Sequence, residues 1–257
     1  MKEFFGFGGY TRPIEGFFSW QHLVFVTLLM AVMVALAILF GRRYRTKRTD
    51  EKNKPLMIAA ILINALEIFK IVLISIRSKD AMAWLYMLPL FLCSIQLITI
   101  PLAAISRGRL KEVALDFVFI FGLLGALLGT YGAGNNYGSY PVLSFDNVVS
   151  GITHAISGFA ALYIGISGMI SMKKKNLPYS FAILTSFCLA AYITNLLIDY
   201  NYMFMMRGDG TPYEILFTLV NGSPILYPIG VVVLFLFYIS AFYGVFYLIQ
   251  KHKQHKL

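Results

Sequence analysis

Of the two cysteines and four histidines in this 257-residue sequence, Cys93 and His154 are the pair best suited to nucleophilic chemistry. Each lies about seven residues inside a long apolar run that holds few other polar groups. A thiol attacks as its thiolate, and a neighbouring imidazole can take the proton. In a dry cleft such a pair can carry an acyl group as a thioester. A nearby amide or ammonium would donate to the oxyanion that forms on the way, and Lys70, Gln96 and Asn195 are the donors at hand. The substrate of a site at acyl-chain depth would be a membrane lipid, either a phospholipid or a lysophospholipid. The interval between Cys93 and His154 is not diagnostic, because such sites are recognised by geometry.

Other polar residues fall at the same level. His22, Glu67, Lys70, Gln96, Asn195 and Asp199 all belong to the outer half of the runs that carry them, and Asp116 alone belongs to an inner half. Intramembrane ionisable groups are expensive and mark sites or pairs. Each also has a structural reading. Glu67 and Lys70 are spaced to neutralise each other on one helix face. His22 suits an interface, His154 suits a bond between helices, and Cys188 suits packing. A transporter or solute-binding protein, with Glu67, Lys70, His22 and Asp199 lining a cavity, is the competing function. That Asp116 alone lies in the inner half argues against a through-path. The last run contains no lysine to form a Schiff base, and no cofactor motif or metal-ligand spacing is present.

The elements that must position these residues follow from composition. The sequence is 58% hydrophobic and 13% charged, with a mean hydropathy of +0.72. A soluble domain carries about 25% charged residues. Seven apolar runs, near 18–40, 55–76, 86–105, 113–131, 147–171, 179–200 and 224–250, predict a single all-α domain of seven transmembrane helices over 1–257. The runs are continuous rather than alternating, which favours helices over a barrel. The net charge of +10 comes largely from short basic segments between runs, so topology explains it better than nucleic acid does. Arg42, Arg43, Arg45, Lys47, Arg48, Lys52 and Lys54 follow the first run. Arg107, Arg109 and Lys111 follow the third, Lys173, Lys174 and Lys175 the fifth, and Lys251, Lys253 and Lys256 the seventh. The opposite side carries Lys2, Arg12, Arg77, Lys79 and Arg207. The rule that basic loops stay inside puts the N-terminus outside and the C-terminus in the cytoplasm. The first run is too long for a signal peptide and has its basic flank behind it. The pieces 132–146 and 201–223 are rich in Gly, Asn, Ser and Pro and read as outer loops.

Four strings in order carry a family resemblance. Ser19-Trp20-Gln21-His22-Leu23 opens the first run, and Leu88-Pro89-Leu90-Phe91-Leu92-Cys93 opens the third. His154 comes early in the fifth, and Asn201-Tyr202-Met203-Phe204 follows the sixth. The chain resembles the YwaF / TMEM164 family of multispan membrane proteins over nearly its whole length. The resemblance implies a seven-helix fold similar to that of the AIG1 / ADTRP lipid hydrolases. From the animal branch it implies phospholipid acyl transfer through a Cys nucleophile with a His partner. Carried over by position, these are Cys93 and His154, with Tyr202 among the supporting residues, in a protein of the bacterial plasma membrane. Bacterial members often have His two places before the Cys, where this chain has Phe91. The basic residue and proline expected after Phe204 are met loosely by Arg207 and Pro212.

Overall fold

The computed structural model describes residues 2–254, the side chains of 253 and 254 excepted. Lys256 lies outside the described residues, and so does the side chain of Lys253. The described residues contain no strand and nine α-helices: α1 (Trp20–Tyr44), α2 (Thr49–Ser78), α3 (Gln96–Ile105), α4 (Gly108–Leu128), α5 (Gly134–Ser139), α6 (Phe145–Ile166), α7 (Leu177–Ile198), α8 (Tyr213–Leu219) and α9 (Leu226–Gln254). Five stretches are long and apolar enough to cross a membrane: α1, α2, α6, Lys174–Ile198 around α7, and Leu226–His252 of α9. The helix α4 is long enough but carries Arg109, Lys111, Glu112 and Asp116.

The third expected run departs most from expectation. In place of a helix over 86–105, α3 covers ten residues, about 15 Å and half the hydrocarbon thickness. A 3-10 turn at Ala83–Met87 and irregular turns up to residue 95 replace the first half. Pro89 disfavours helical backbone at Leu88. The Ser94 hydroxyl accepts from the Phe91 N–H at 2.9 Å and donates to the Phe91 carbonyl at 3.0 Å, which competes with the helical ladder. Cys93 therefore rides on a turn, and counting helical rise does not give its depth. In the opposite direction, α2 starts ahead of the expected 55. The Glu51 carboxylate accepts the Arg48 N–H, and Asp50 and Glu51 favour a helix N-terminus there.

The chain forms two compact units, Met1–Met87 with Gln96–Ile170, and Leu88–Ile95 with Ser171–Leu257. In the first unit α6 packs against α1, α2, α3 and α4. The seam between α4 and α6 is built of small residues. A side chain at Gly122 would collide with the Ser157 carbonyl and Ala161, and one at Gly158 would collide with Ala126 and Met33. Small residues let helix backbones approach closely, which is how helices associate where lipid is as apolar as leucine.

Lysines tie one end of this unit together. Lys52 Nζ donates to the Ser167 carbonyl at the end of α6 (2.8 Å), while the Tyr163 hydroxyl donates to the Lys52 carbonyl (2.8 Å). Lys111 Nζ donates to Asn53 Oδ1 (2.7 Å) and to the Ala103 carbonyl (2.8 Å). The basic segments 41–54 and 107–111 thus gather at the same end. At the other end the N-terminal segment folds over the helices. Arg77 makes a two-pronged pair with Asp146 at 2.7 Å and also holds the Phe5 carbonyl. The Tyr10 hydroxyl donates to the same carboxylate. Burial, then that carboxylate, push the Tyr10 phenol up to about 12, so it keeps its proton at neutral pH.

In the second unit α7 and α9 pack side by side. The Ser180 and Tyr243 hydroxyls meet at 3.3 Å, and Lys174 Nζ sits 4.0 Å over the Tyr247 ring. The piece 201–223, expected as an outer loop, holds α8. Its Ile215 and Leu219 are 75% and 77% exposed, an apolar face suited to a membrane interface rather than to water.

Pro101 lies inside α3 and cannot bond the Leu97 carbonyl one turn back. Asn64 Nδ2, from α2, donates to that carbonyl at 3.0 Å. Asn64→Ala is expected to cost about 1 kcal/mol, read as a lower thermal midpoint in detergent. An unchanged midpoint would show that Asn64 does not compensate for Pro101.

Candidate active site

His154 stands in the third turn of α6, whose start is fixed by Ser144 accepting the Asn147 N–H. Its Nδ1 lies 2.7 Å from the Ser150 carbonyl. A carbonyl only accepts, so Nδ1 carries a hydrogen, and in the neutral ring the lone pair is then on Nε2. The ring lies against Gly129 at the end of α4, where a methyl group would overlap its Cδ2 and Nε2. The absence of a side chain at Gly129 is what gives the imidazole its place. Gln96, at the start of α3, is fully buried; its Oε1 accepts from the Thr99 hydroxyl at 3.1 Å. Its Nε2, like Ser106 Oγ and Asn147 Oδ1, is buried without a hydrogen-bond partner.

Cys93 belongs to the second unit, where it is partly exposed and in no disulfide. Its turn is held by the segment after α7. The Tyr202 hydroxyl accepts the Leu88 N–H at 3.0 Å. Phe91 packs against Tyr202, Tyr200 and Phe204, with ring centroids 5.1, 6.3 and 5.9 Å away. Phe91 thus fills an aromatic cluster. Asn195 clamps Tyr202 from both sides, donating to its carbonyl at 3.0 Å and accepting its N–H at 2.7 Å. Met203 and Phe204 are left-handed, at φ +56° and +54°. The Phe204 carbonyl is held by the Tyr227 hydroxyl at 2.7 Å. Backbone of this kind persists only where its surroundings over-determine it. The strings Leu88–Cys93 and Asn201–Phe204, far apart in sequence, are therefore two halves of one holder for Cys93.

Two residues not singled out from the sequence join this description. Gly129 was one glycine among twenty-one, and only a helix-packing register could have picked it out. Tyr213, at the start of α8, stacks on Phe204 with centroids 5.3 Å apart. Burial pushes its phenol up, and charge on Tyr238, Tyr227 and Cys93 adds to the rise, so Tyr213 is within electrostatic reach of Cys93.

The remaining polar residues have structural duties. His22 is fully buried; its Nδ1 accepts the Phe18 N–H at 3.1 Å, so its Nε2 donates to the Thr130 carbonyl at 3.1 Å. Tyr137 covers the ring with centroids 3.9 Å apart. Glu67 and Lys70 form an ion pair at 2.6 Å. Asp199 is exposed at the left-handed cap of α7. Cys188 is buried with its sulfur 3.7 Å from Met203 Sδ, and Asp116 is fully buried in α4. Among the described residues, no group of three His, Cys, Asp or Glu could hold a metal ion.

The model of the TMEM164 family matches residues 17–249, nearly the whole chain. The chain belongs to the TMEM164 family. No curated protein and no solved structure matches it. Family membership and the apolar helices together make it an integral membrane protein. In this TMEM164 family member the matched span takes in the Cys93 turn, its Asn201–Phe204 holder and the His154 helix.

Tyr202→Phe would leave the Leu88 N–H without its acceptor, at a cost of about 1–3 kcal/mol, and loosen the turn. Cys93 should then react faster with a membrane-permeant maleimide, while Cys188 does not. An unchanged Cys93 rate would show that Tyr202 does not hold the turn.

Proposed function

We propose that this protein is an acyl-lipid enzyme, an acyltransferase, in which Cys93 is the nucleophile and His154 the base. The observation that supports it most is the Nδ1 hydrogen bond of His154 to the Ser150 carbonyl, which in the neutral ring makes Nε2 the basic nitrogen. The family resemblance implies the same two residues.

The Cys93 proton passes to His154 Nε2, and the thiolate adds to an ester carbonyl carbon of a phospholipid. The buried Gln96 amide is the donor suited to the resulting oxyanion. Collapse breaks the ester C–O bond. The lysophospholipid alkoxide leaves with the proton from the imidazolium, and the acyl group stays on Cys93 as a thioester. An acceptor hydroxyl then gives its proton to His154 and takes the acyl group, restoring the thiol; water in its place would make the outcome hydrolysis. The same reading takes a membrane lipid as a partner and sets seven crossings, with α3 and its preceding turns and α4 completing the set. It puts the N-terminus outside and the C-terminus within, in a bacterial plasma membrane.

Purified protein given phospholipid with a radiolabelled acyl chain should form a hydroxylamine-labile adduct that Cys93→Ala lacks. His154→Ala is expected to slow its formation by about a hundredfold to ten-thousandfold. An equal adduct on Cys93→Ala would end the nucleophile assignment. Gly129→Ala drives a methyl group into the imidazole, and should slow the adduct nearly as much as His154→Ala while leaving maleimide labelling of Cys93 unchanged. Wild-type adduct formation by Gly129→Ala would show that the position of the His154 ring does not matter.

A further inference from the structure

In the first unit α1 and α2 both lean on α6 but scarcely touch each other. Between them lies a cavity of about 320 Å³, walled by α1 and α2 and floored by α6 at Ala155 and Phe159. Every lining residue is apolar, and its walls are exposed at Leu36, Ile58 and Leu62. Along α1 the furrow runs from Leu29 to Phe40, about 16 Å, a length suited to an extended acyl chain.

Its rim at the basic end is not neutral. Residues three, four and seven apart share a helix face, so the α1 wall through Leu36 and Phe40 continues into Arg43. The α2 wall at Ile58 continues one turn back into Lys54. Both are exposed. Lys52, by contrast, is engaged with the Ser167 carbonyl. Segment 41–54 holds seven Lys and Arg against Asp50 and Glu51, and Glu51 caps α2 through the Arg48 N–H. An apolar furrow of acyl length with cations on both walls at one mouth matches the chemistry of an anionic phospholipid: chain inside, phosphate between Arg43 and Lys54.

We infer that this furrow is a binding site for one acyl chain of an anionic glycerophospholipid, with the headgroup held by Arg43 and Lys54. The site does not involve Cys93, and its test is a binding measurement that is independent of acyl transfer.

The full chain in detergent would be titrated with phosphatidylglycerol and with phosphatidylcholine of the same acyl chains, and bound lipid read by native mass spectrometry. The anionic lipid should bind more tightly. The double variant Arg43→Gln/Lys54→Gln should weaken it about ten- to thirtyfold and weaken the zwitterionic lipid, whose choline offsets the phosphate charge, much less. A photoactivatable acyl chain on phosphatidylglycerol should label α1, α2 or α6 within 29–40, 55–62 or 152–159. Equal binding of the two lipids by the wild type would overturn the assignment, as would labelling confined to other segments. Ala155→Phe, which fills the floor, should abolish the labelling. If that variant misfolds, the double variant and the label on the wild type decide alone. Recovery of a lipid-free dimer, cross-linked through α1 and α2, would make a second copy the occupant and overturn it equally.

Discussion

In hydrocarbon there is no water to satisfy backbone N–H and C=O groups, so a departure from a helix must be answered by other protein groups. This requirement accounts for several of the buried polar residues. Pro101 frees the Leu97 carbonyl, and Asn64 takes it. The turn after Leu88 leaves an N–H, and the Tyr202 hydroxyl accepts it. The left-handed residues after α7 leave the backbone of Tyr202 and Phe204 without helical partners, and Asn195 and Tyr227 supply them. At the start of α1 and the end of α4, both ring nitrogens of His22 do the same for Phe18 and Thr130. Several of the buried polar side chains in this protein are repairs to broken backbone, and Tyr202 and Asn195 make such repairs in the unit that holds Cys93.

The second device is the close approach of α4 and α6. Gly122 and Gly158 remove the side chains that would separate the two helices. Gly129, two turns beyond Gly122 on α4, then receives the His154 ring. A helix seam without side chains positions an imidazole more rigidly than a loop could, because the ring is fixed by Ser150 on its own helix and by the α4 backbone beneath it. The hydrogen on Nδ1 follows from that geometry.

The sequence made the helices legible wherever composition alone determined them. The runs that became α1, α2, α6, α7 and α9 were long, apolar and nearly free of charge, and their residues could form little else in lipid. It misled at residues 86–95, where hydropathy stays high while the backbone leaves the helix. Hydropathy reports where a segment sits, whereas the conformation was set by Pro89 and by one Ser94 hydroxyl bonding to Phe91. The piece 201–223, whose Gly and Pro content suggested an outer loop, also holds the short α8 with exposed Ile215 and Leu219, which turn-residue content does not report. Among the candidate residues, the spacing of Glu67 and Lys70 disclosed their pair, which the structure closes. The roles of His22 and Asn195 were hidden, because their partners are backbone atoms of residues that no periodicity links to them.

The same accounting separates the candidates for chemistry from the scaffold. His22 and Asn195 are committed to backbone, and Glu67 and Lys70 to each other. Gln96 differs. It is fully buried, its carbonyl is answered by Thr99, and its amide nitrogen is not answered at all. A buried donor left so costs about 1–3 kcal/mol, a cost of the kind also borne at Ser106 Oγ and Asn147 Oδ1, which are buried without a partner too. Such a donor is most useful where negative charge appears only transiently, since a permanent acceptor would quench it between turnovers. Burial without a partner therefore marks several positions, and under the proposed chemistry Gln96 is the one that lies three residues along the chain from Cys93.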